Sequence, residues 1–453
     1  MKTFNKLFLG MFLVGSIAFT GCTTSDLDPT LEQDKDIDGS INTAQDMEGI
    51  LKGAYNRMTS SVYYGRDFII NNEVRTDNTF ANGNSGRFST EAAFLYTADN
   101  NPGIWTQAYS VIATANILIG TDLENIEGDQ GYAKHVQGQA YAIRALAHFD
   151  LLKQYGEQTT GGTLGIPYIT EFKSSNTTPS RNTVEEVKAA IFSDLNTAFS
   201  LMGDAYFDSS KEFMSRYTAK AIESRVAIYF GMWNEAKSAA EAVINSGLYQ
   251  VIAGDQFVAS YAGDGSQNSI FELAFSNTDN LGGNSLGFIY KGDTYGDIEV
   301  LPNVEDLYTD GDVRLGILGI ELGKLRNLGK YPDLNGWDNV MLCRYEEVIL
   351  NYAEALFETG GDAASALNMI TSKRGIDNYT TVTKEDILNE RRRELIFEGF
   401  RYDDLMRTNS GVEKVDFEQN ISESIPAGDY RLAMPIPIVE LDANANMVQN
   451  RGY

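Results

Sequence analysis

The sequence is short of several things, and each shortage closes a line of reading. Two cysteines in 453 residues exclude a disulfide framework. The only histidines, His135 and His148, do not meet metal-ligand spacing on a helix, and neither adjoins Cys or Glu in a zinc pattern. Both are expected to pack. There is no G-x-S-x-G, no Walker lysine loop and no G-x-G-x-x-G, so nucleophilic hydrolysis and nucleotide binding lack a starting point. Asp310-Gly311-Asp312 opens like a calcium loop, but Arg314 takes a ligand position and Leu315 the required glycine. Positive charge is scarce: 36 Lys and Arg face 63 Asp and Glu, for a net −27. Such a chain repels nucleic acid and anionic headgroups, which leaves neutral ligands or a protein partner. Carboxylates this abundant make any pair of them poor evidence for a glycosidase.

Long apolar runs are also missing, apart from Leu7 to Thr20. As a helix that run spans about 21 Å, short of the ~30 Å hydrocarbon core. Lys2 and Lys6 precede it and Phe19-Thr20-Gly21-Cys22 ends it. This is a signal segment of residues 1–21 whose end resembles a lipobox, with Phe19 where Leu is usual. Cys22 is the expected lipidation site and residues 22–42 a polar, acidic tether, so the membrane contact is through lipid alone. Cys343 then has no partner and is expected to be a buried small hydrophobe.

What is present is helical periodicity. Ile50, Leu51, Ala54, Tyr55 and Met58 recur at three- and four-residue spacing, and residues 105–119 and 131–155 repeat the pattern before Gly156 stops it. Thr183 and Glu186 form a capping box. Residues 217–230 and 233–245, separated by Gly231, resemble 344–358 and 363–373, separated by Gly360-Gly361. Small residues at the breaks suggest tetratricopeptide-like helix pairs. A further helix is expected from Thr383 to about Arg407. In it Glu390, Glu394 and Glu398 share one face, beside Arg391, Arg392, Arg393 and Arg401, as ion pairs. Trp105 and Trp233 fall in helical segments and are assigned to packing. Residues 59–103 are rich in Asn, Gly, Ser and Asp and read as loops. Residues 250–343 read as an irregular lobe with short β-type runs such as 269–275. The fold class is mostly α: a helix-pair scaffold (an α-α superhelix) over about 43–249 and 344–453 carrying the loop-rich lobe, all within 43–453.

Seven stretches, in order, carry a family resemblance. They are Glu73-Val74-Arg75-Thr76-Asp77-Asn78, residues 105–116, residues 144–156, residues 221–249, residues 344–355 and residues 390–405. The last is Met434-Pro435-Ile436-Pro437-Ile438-Val439-Glu440 with Gln449-Asn450 and Gly452-Tyr453. Together they resemble the SusD/RagB family, the surface lipoproteins of outer-membrane glycan importers. Ala445 and Arg451 replace frequent prolines of that pattern, and Glu346 a small residue. The resemblance implies four tetratricopeptide-type helix pairs and no catalysis or cofactor. It implies an oligosaccharide or polysaccharide ligand and a TonB-dependent SusC-like transporter docked on the helical face. It also implies an outer-membrane location at the cell surface.

A neutral glycan needs aromatic faces for its C–H surfaces and amide, carboxylate or guanidinium groups for its hydroxyls. Two loops supply these. Residues 79–96 hold Phe80, Asn82, Asn84, Arg87, Phe88 and Tyr96. Residues 280–297 hold Asn284, Phe288, Tyr290, Lys291, Tyr295 and Asp297. Trp337 is a third candidate in its own polar loop. Arg75 and Asp77 are expected to pair with each other nearby. A peptide-binding or mainly structural lid subunit of the same kind of transporter is the alternative, and a glycoside hydrolase the remote one.

Overall fold

Helices form where the apolar stripes begin behind a capping side chain. Thr43 accepts from Asp46 N–H at 3.1 Å and starts α1 (Ala44–Met58), whose buried face is Met47, Leu51, Ala54, Tyr55 and Met58. The same reciprocal cap joins Thr183 to Glu186 and Thr383 to Asp386. The computed structural model describes residues 41–453 except 102 and 174–176. The signal segment, Cys22 and nearly all of the tether lie outside the described residues. Thr43–Tyr453 forms one compact unit.

After α1 come α2 (Asp67–Val74), the single turn α3 (Ser89–Ala92), α4 (Gly103–Gly120), α5 (Gln130–Tyr155), α6 (Val184–Leu201), α7 (Arg216–Tyr229) and α8 (Trp233–Ile244). The second half adds α9 (Leu286–Tyr290), α10 (Tyr345–Thr359), α11 (Ala363–Thr371), α12 (Lys384–Leu395), α13 (Arg401–Arg407) and α14 (Ile438–Ala443). The long helices stack in turn: α1 on α4, α4 on α5, α5 on α6, α6 on α7, α7 on α8, α8 on α10, and α10 on α11. This is the tetratricopeptide-like array, in which each element buries its face on its neighbours. Small side chains set the spacing. Ala227, Ile228, Ala236 and Ala355 meet in one cluster under Phe192, Met232 and Trp233. Gly231, at φ 66°, makes the α7–α8 turn that lets those helices close. Trp105 is buried against Tyr155. Cys343 is buried too.

Both histidines are buried on α5. His148 Nε2 accepts from Ile169 N–H at 3.0 Å, so Nδ1 carries the proton and donates to the Arg144 carbonyl at 2.9 Å. Its ring stacks on Tyr168 at 3.8 Å. Burial drives its pKa down to about 3.

Two sequence expectations fail here. Residues 59–103 are not all loop, because α2 lies within them. Phe68 through Val74 are buried on every side, so α2 shows no amphipathic stripe, and Asn71-Asn72 are poor helix formers. The helix expected from Thr383 to Arg407 is cut in two. Phe397 (φ 70°) and Gly399 (φ 82°) turn the chain between α12 and α13. A Cβ on Gly399 would lie 3.1 Å from Ile69 Cα of α2, and Gly399 N–H donates to Glu73 at 2.8 Å. Docking on α2 ends the helix, so Glu398 stands in the turn and not on the helix face.

Residues 250–343 contribute strands to three small antiparallel pairs. β2 (Ser269–Leu273) pairs with β6 (Val340–Arg344), which runs straight into α10. β4 (Leu318–Glu321) and β5 (Lys324–Asn327) make a hairpin. β3 (Ile298–Val300) pairs with β1 (Thr79–Ala81) from the N-terminal half, in the register Phe80↔Glu299 and Ala81↔Ile298.

Buried ion pairs join this lobe to the helices. Glu394 receives Arg314 at 3.1 Å, Arg344 at 2.9 Å and Arg374 at 2.8 Å. Glu390 takes Arg314 at 2.6 Å, and Glu398 takes Arg344 at 2.8 Å and Lys330 at 2.5 Å. Burial pushes the Glu394 carboxyl up, and Arg374, Arg344 and Arg314 more than reverse this, holding it well below the usual carboxylate range. Within the helix itself Arg393 pairs with Glu390 at 3.2 Å, while Arg391 reaches Asp404 on α13 at 3.2 Å.

Candidate functional site

The β1–β3 pair brings the two candidate loops together. Beyond the strands, Asn82 N–H donates to the Asp297 carbonyl at 3.0 Å. The Asn82 amide donates to the Gly296 carbonyl at 2.7 Å and to Glu299 at 2.9 Å. Asn84 donates to the Tyr295 carbonyl at 2.9 Å. The Asn82 side chain is thus spent on holding the 295–297 segment, and it accepts from Asn84 N–H at 2.9 Å as well.

Tyr295 is the centre of the arrangement. Its ring is 42% exposed. The Arg87 guanidinium lies 4.4 Å from the ring centroid, and Phe288 meets the ring edge-on at 5.1 Å. Arg87 is anchored in turn by Asp297 at 3.4 Å. Gly283 passes close by, where a Cβ would stand 3.3 Å from Tyr295 and 3.6 Å from Phe288. Asn284, exposed beside it, accepts from Arg66 at 2.6 Å, and Arg66 also pairs with Asp67 at 2.6 Å. Each cation here therefore has an anion partner, so the platform holds no spare positive charge for an acidic ligand. It offers an aromatic face rimmed by amides and a stacked guanidinium.

Trp337 stands on the adjoining turn and is 41% exposed. That turn is held by Asp338, which accepts from Asp333 N–H at 2.7 Å, and by Asp333, which accepts from Asn335 N–H. It presses on the platform segment at Gly336 (φ 76°), where a Cβ would fall 2.5 Å from the Ser285 Cβ. Between the two lies a small cleft lined by Leu281, Ser285, Tyr331, Gly336 and Asp338. Burial raises the Asp338 carboxyl to about 6, and the charges of Asp333 and Asp264 add to the effect.

Other candidates are not on this surface. Phe80, Phe88, Tyr96 and Tyr290 are buried and present no ring face to solvent. Tyr290 lies between Tyr331 and Phe397, with centroids at 6.3 and 5.6 Å. The Tyr96 hydroxyl donates to the Arg431 carbonyl. Phe88 sits under Arg66 with φ 62°, ahead of α3. Asp297 is buried as the anchor of Arg87. Lys291 is buried with its ammonium on the Leu328 and Asn327 carbonyls at 2.8 and 3.2 Å, and burial lowers its pKa to about 8. Asp297 supports the platform directly, through Arg87. Period-two alternation cannot separate the buried candidates from the exposed ones in loops, where no regular face exists. Arg75 and Asp77 do not pair with each other. Arg75 serves Asn71, Asn72 and Gln154 and stacks on Tyr402 at 3.9 Å. Asp77 takes Arg401 at 2.8 Å and Arg392 at 3.0 Å. Arg66 was missed by sequence reasoning; it lies in the 59–103 stretch read as loops, outside the 79–96 segment singled out there.

Among the described residues no cluster of three or more His, Cys, Asp or Glu could hold a metal ion, and no helix is long and apolar enough to cross a membrane.

Comparison with known proteins bears on the whole chain. Residues 29–228 match a family model described as starch-binding and associating with the outer membrane, and residues 322–453 match the SusD family model. SusD-like protein P2 of Formosa agariphila is 24% identical over 98% of this chain and 99% of its own length. The starch-binding protein SusD of Bacteroides thetaiotaomicron is 32% identical over a shorter stretch, 29% of this chain and 24% of its own. A solved structure of a proposed sugar-binding protein from Bacteroides vulgatus superposes with a TM-score of 0.85 at 30% identity, covering 91% of this chain and 99% of the other. With family models matching residues 29–228 and 322–453 and a 30% identical structure superposing over 91% of the chain, the protein is a member of the SusD/RagB family.

Proposed function

We propose that this chain is a non-catalytic glycan-binding lipoprotein of the outer membrane. It captures oligosaccharide on the Tyr295 platform and delivers it to a TonB-dependent SusC-like transporter, with Cys22 as the lipid anchor. The observation that carries the reading is an aromatic ring left exposed on a support whose arginines, Arg66 and Arg87, are each paired with a carboxylate. Burying that ring against the C–H face of a sugar gains apolar contact, and Asn84, Asn284 and Arg87 then meet hydroxyls. The starch-binding name of a family relative supports the ligand class. A neutral sugar suits a platform without free cations in a chain of net charge −27.

The test is a glycan array on the purified protein, followed by titration of Tyr295→Ala with any glycan bound. Binding that disappears in a variant that still melts like the wild type supports the proposal. An array with no binder, or one that yields only peptides in a parallel screen, overturns it. Delivery is tested by pulling down a transporter from outer membranes with the lipidated protein.

A further inference from the structure

Residues 412–425 form a closed loop on the opposite edge of β1. Val412 and Ile425 exchange both backbone hydrogen bonds at 2.8 Å. Inside it, Gln419 accepts from Val415 N–H at 2.8 Å and donates to the Thr76 carbonyl at 3.0 Å. The Lys414 ammonium turns inward onto the Gln419 and Ile421 carbonyls. Alternate residues of an antiparallel strand face away from the partner, and Ala81 is one of them. Asn420 satisfies it twice, accepting from Ala81 N–H and donating to its carbonyl, both at 2.9 Å. The loop is therefore fixed to the strand whose other edge carries the platform. At ordinary strand spacing their bases stand roughly 10 Å apart.

At the tip of this well-tied loop Phe417 is 83% exposed, the most exposed large apolar side chain among the described residues. Asp416 and Glu418 flank it in sequence, and Glu413 and Glu423 lie on the same loop. With Lys414 facing inward, no cation of the loop points out. Val415, 39% exposed, is its only large apolar companion on the loop, so the tip lacks the contiguous apolar area of a protein interface. Its acidity also opposes anionic lipid and anionic polymers. One ring flanked by carboxylate acceptors matches a single neutral sugar unit.

We propose that Phe417 is a second stacking position for the same glycan, so that the ligand reaches from the platform to the 412–425 loop as an extended segment of a neutral polysaccharide. This rests on the glycan reading of the Tyr295 platform. The test compares wild type, Tyr295→Ala, Phe417→Ala and Phe417→Trp by affinity electrophoresis in starch and in a panel of other neutral polysaccharides. Calorimetry then uses an oligosaccharide of about three units cut from whichever polymer retards the protein. Phe417→Ala is expected to weaken polymer binding about fivefold, the worth of one aromatic stack. Its binding of the short oligosaccharide is expected to stay within about twofold of wild type, and Phe417→Trp to restore the polymer. Tyr295→Ala is expected to lose both ligands. Polymer binding unchanged in Phe417→Ala but lost in Tyr295→Ala overturns this inference and leaves the platform standing. The inference is equally overturned if Phe417→Ala binds polymer normally but no longer pulls down a transporter. If no polysaccharide retards the wild type, the glycan reading fails and this one with it.

Discussion

Around Glu394, three arginines converge on one buried carboxylate, with Glu346, Glu390, Glu398, Lys330 and Asp312 completing the network. At Tyr295, one arginine lies on one ring, and the ring meets water. Both regions join chain segments far apart in sequence. The first does so with charges that no solvent reaches, so removing one member leaves the others short of a buried partner. The second does so with backbone bonds and paired side chains, so its exposed ring can change without loosening its support. Placement of stability and placement of recognition are thereby separated within one fold.

The largest expected effect breaks the first region. Glu394→Ala removes one carboxylate from each of Arg314, Arg344 and Arg374, which keep Glu390, Glu398 and Glu346, and should destabilise the protein by roughly 3–5 kcal/mol in denaturant unfolding. A loss under about 1 kcal/mol would mean that water or a rearranged Glu390 takes over. Next comes acid. His148 is neutral in the fold, with its pKa moved from 6.5 to about 3 by burial. The unfolded chain therefore binds the extra proton between those values. The contribution is complete above pH 6.5 and is lost as pH falls toward 3, roughly 3 kcal/mol between pH 6.5 and 4. His148→Gln keeps an acceptor for Ile169 N–H and should flatten the stability–pH slope in that window; an unchanged slope would assign it to the carboxylates and to His135, whose pKa burial lowers to about 4.

The smaller effects sharpen the second region. Tyr295→Ala should weaken glycan binding by roughly tenfold or more while shifting unfolding by less than about 1 kcal/mol, since the ring is half in water. Equal losses in both would make Tyr295 a structural residue. Arg87→Lys keeps the charge near Asp297 but removes the planar group over Tyr295, and a loss of about threefold in affinity is expected by titration.

Much of this fold was legible in the residues. The capping box at Thr183 is local chemistry, and the stripes of α1, α4 and α6 follow a period that needs no tertiary information. α2 was not legible, because a helix buried all round carries no stripe. The end of α12 was hidden for a different reason: Ile396 to Phe400 would continue a helix were Gly399 not drawn against Ile69. At the site, residue type pointed to Asn84, Arg87, Asn284, Phe288, Tyr295 and Trp337. It pointed equally to Phe80, Phe88, Tyr96 and Tyr290, which the structure buries. A loop aromatic looks the same in sequence whether it is a floor or a surface.

The sequence by itself determined the helical scaffold, the scarcity of cations and of metal-ligating side chains, and the expectation of a lipid address at Cys22. These follow from spacing and composition, which each segment carries alone. Only the tertiary structure decided that β1 pairs with β3 across some 220 residues of chain. That pairing chose which aromatics face solvent, and it set the 412–425 loop on the far edge of the same strand. Such choices depend on contacts between distant segments, where the balance of burial and backbone hydrogen bonding is struck jointly and no single segment records it.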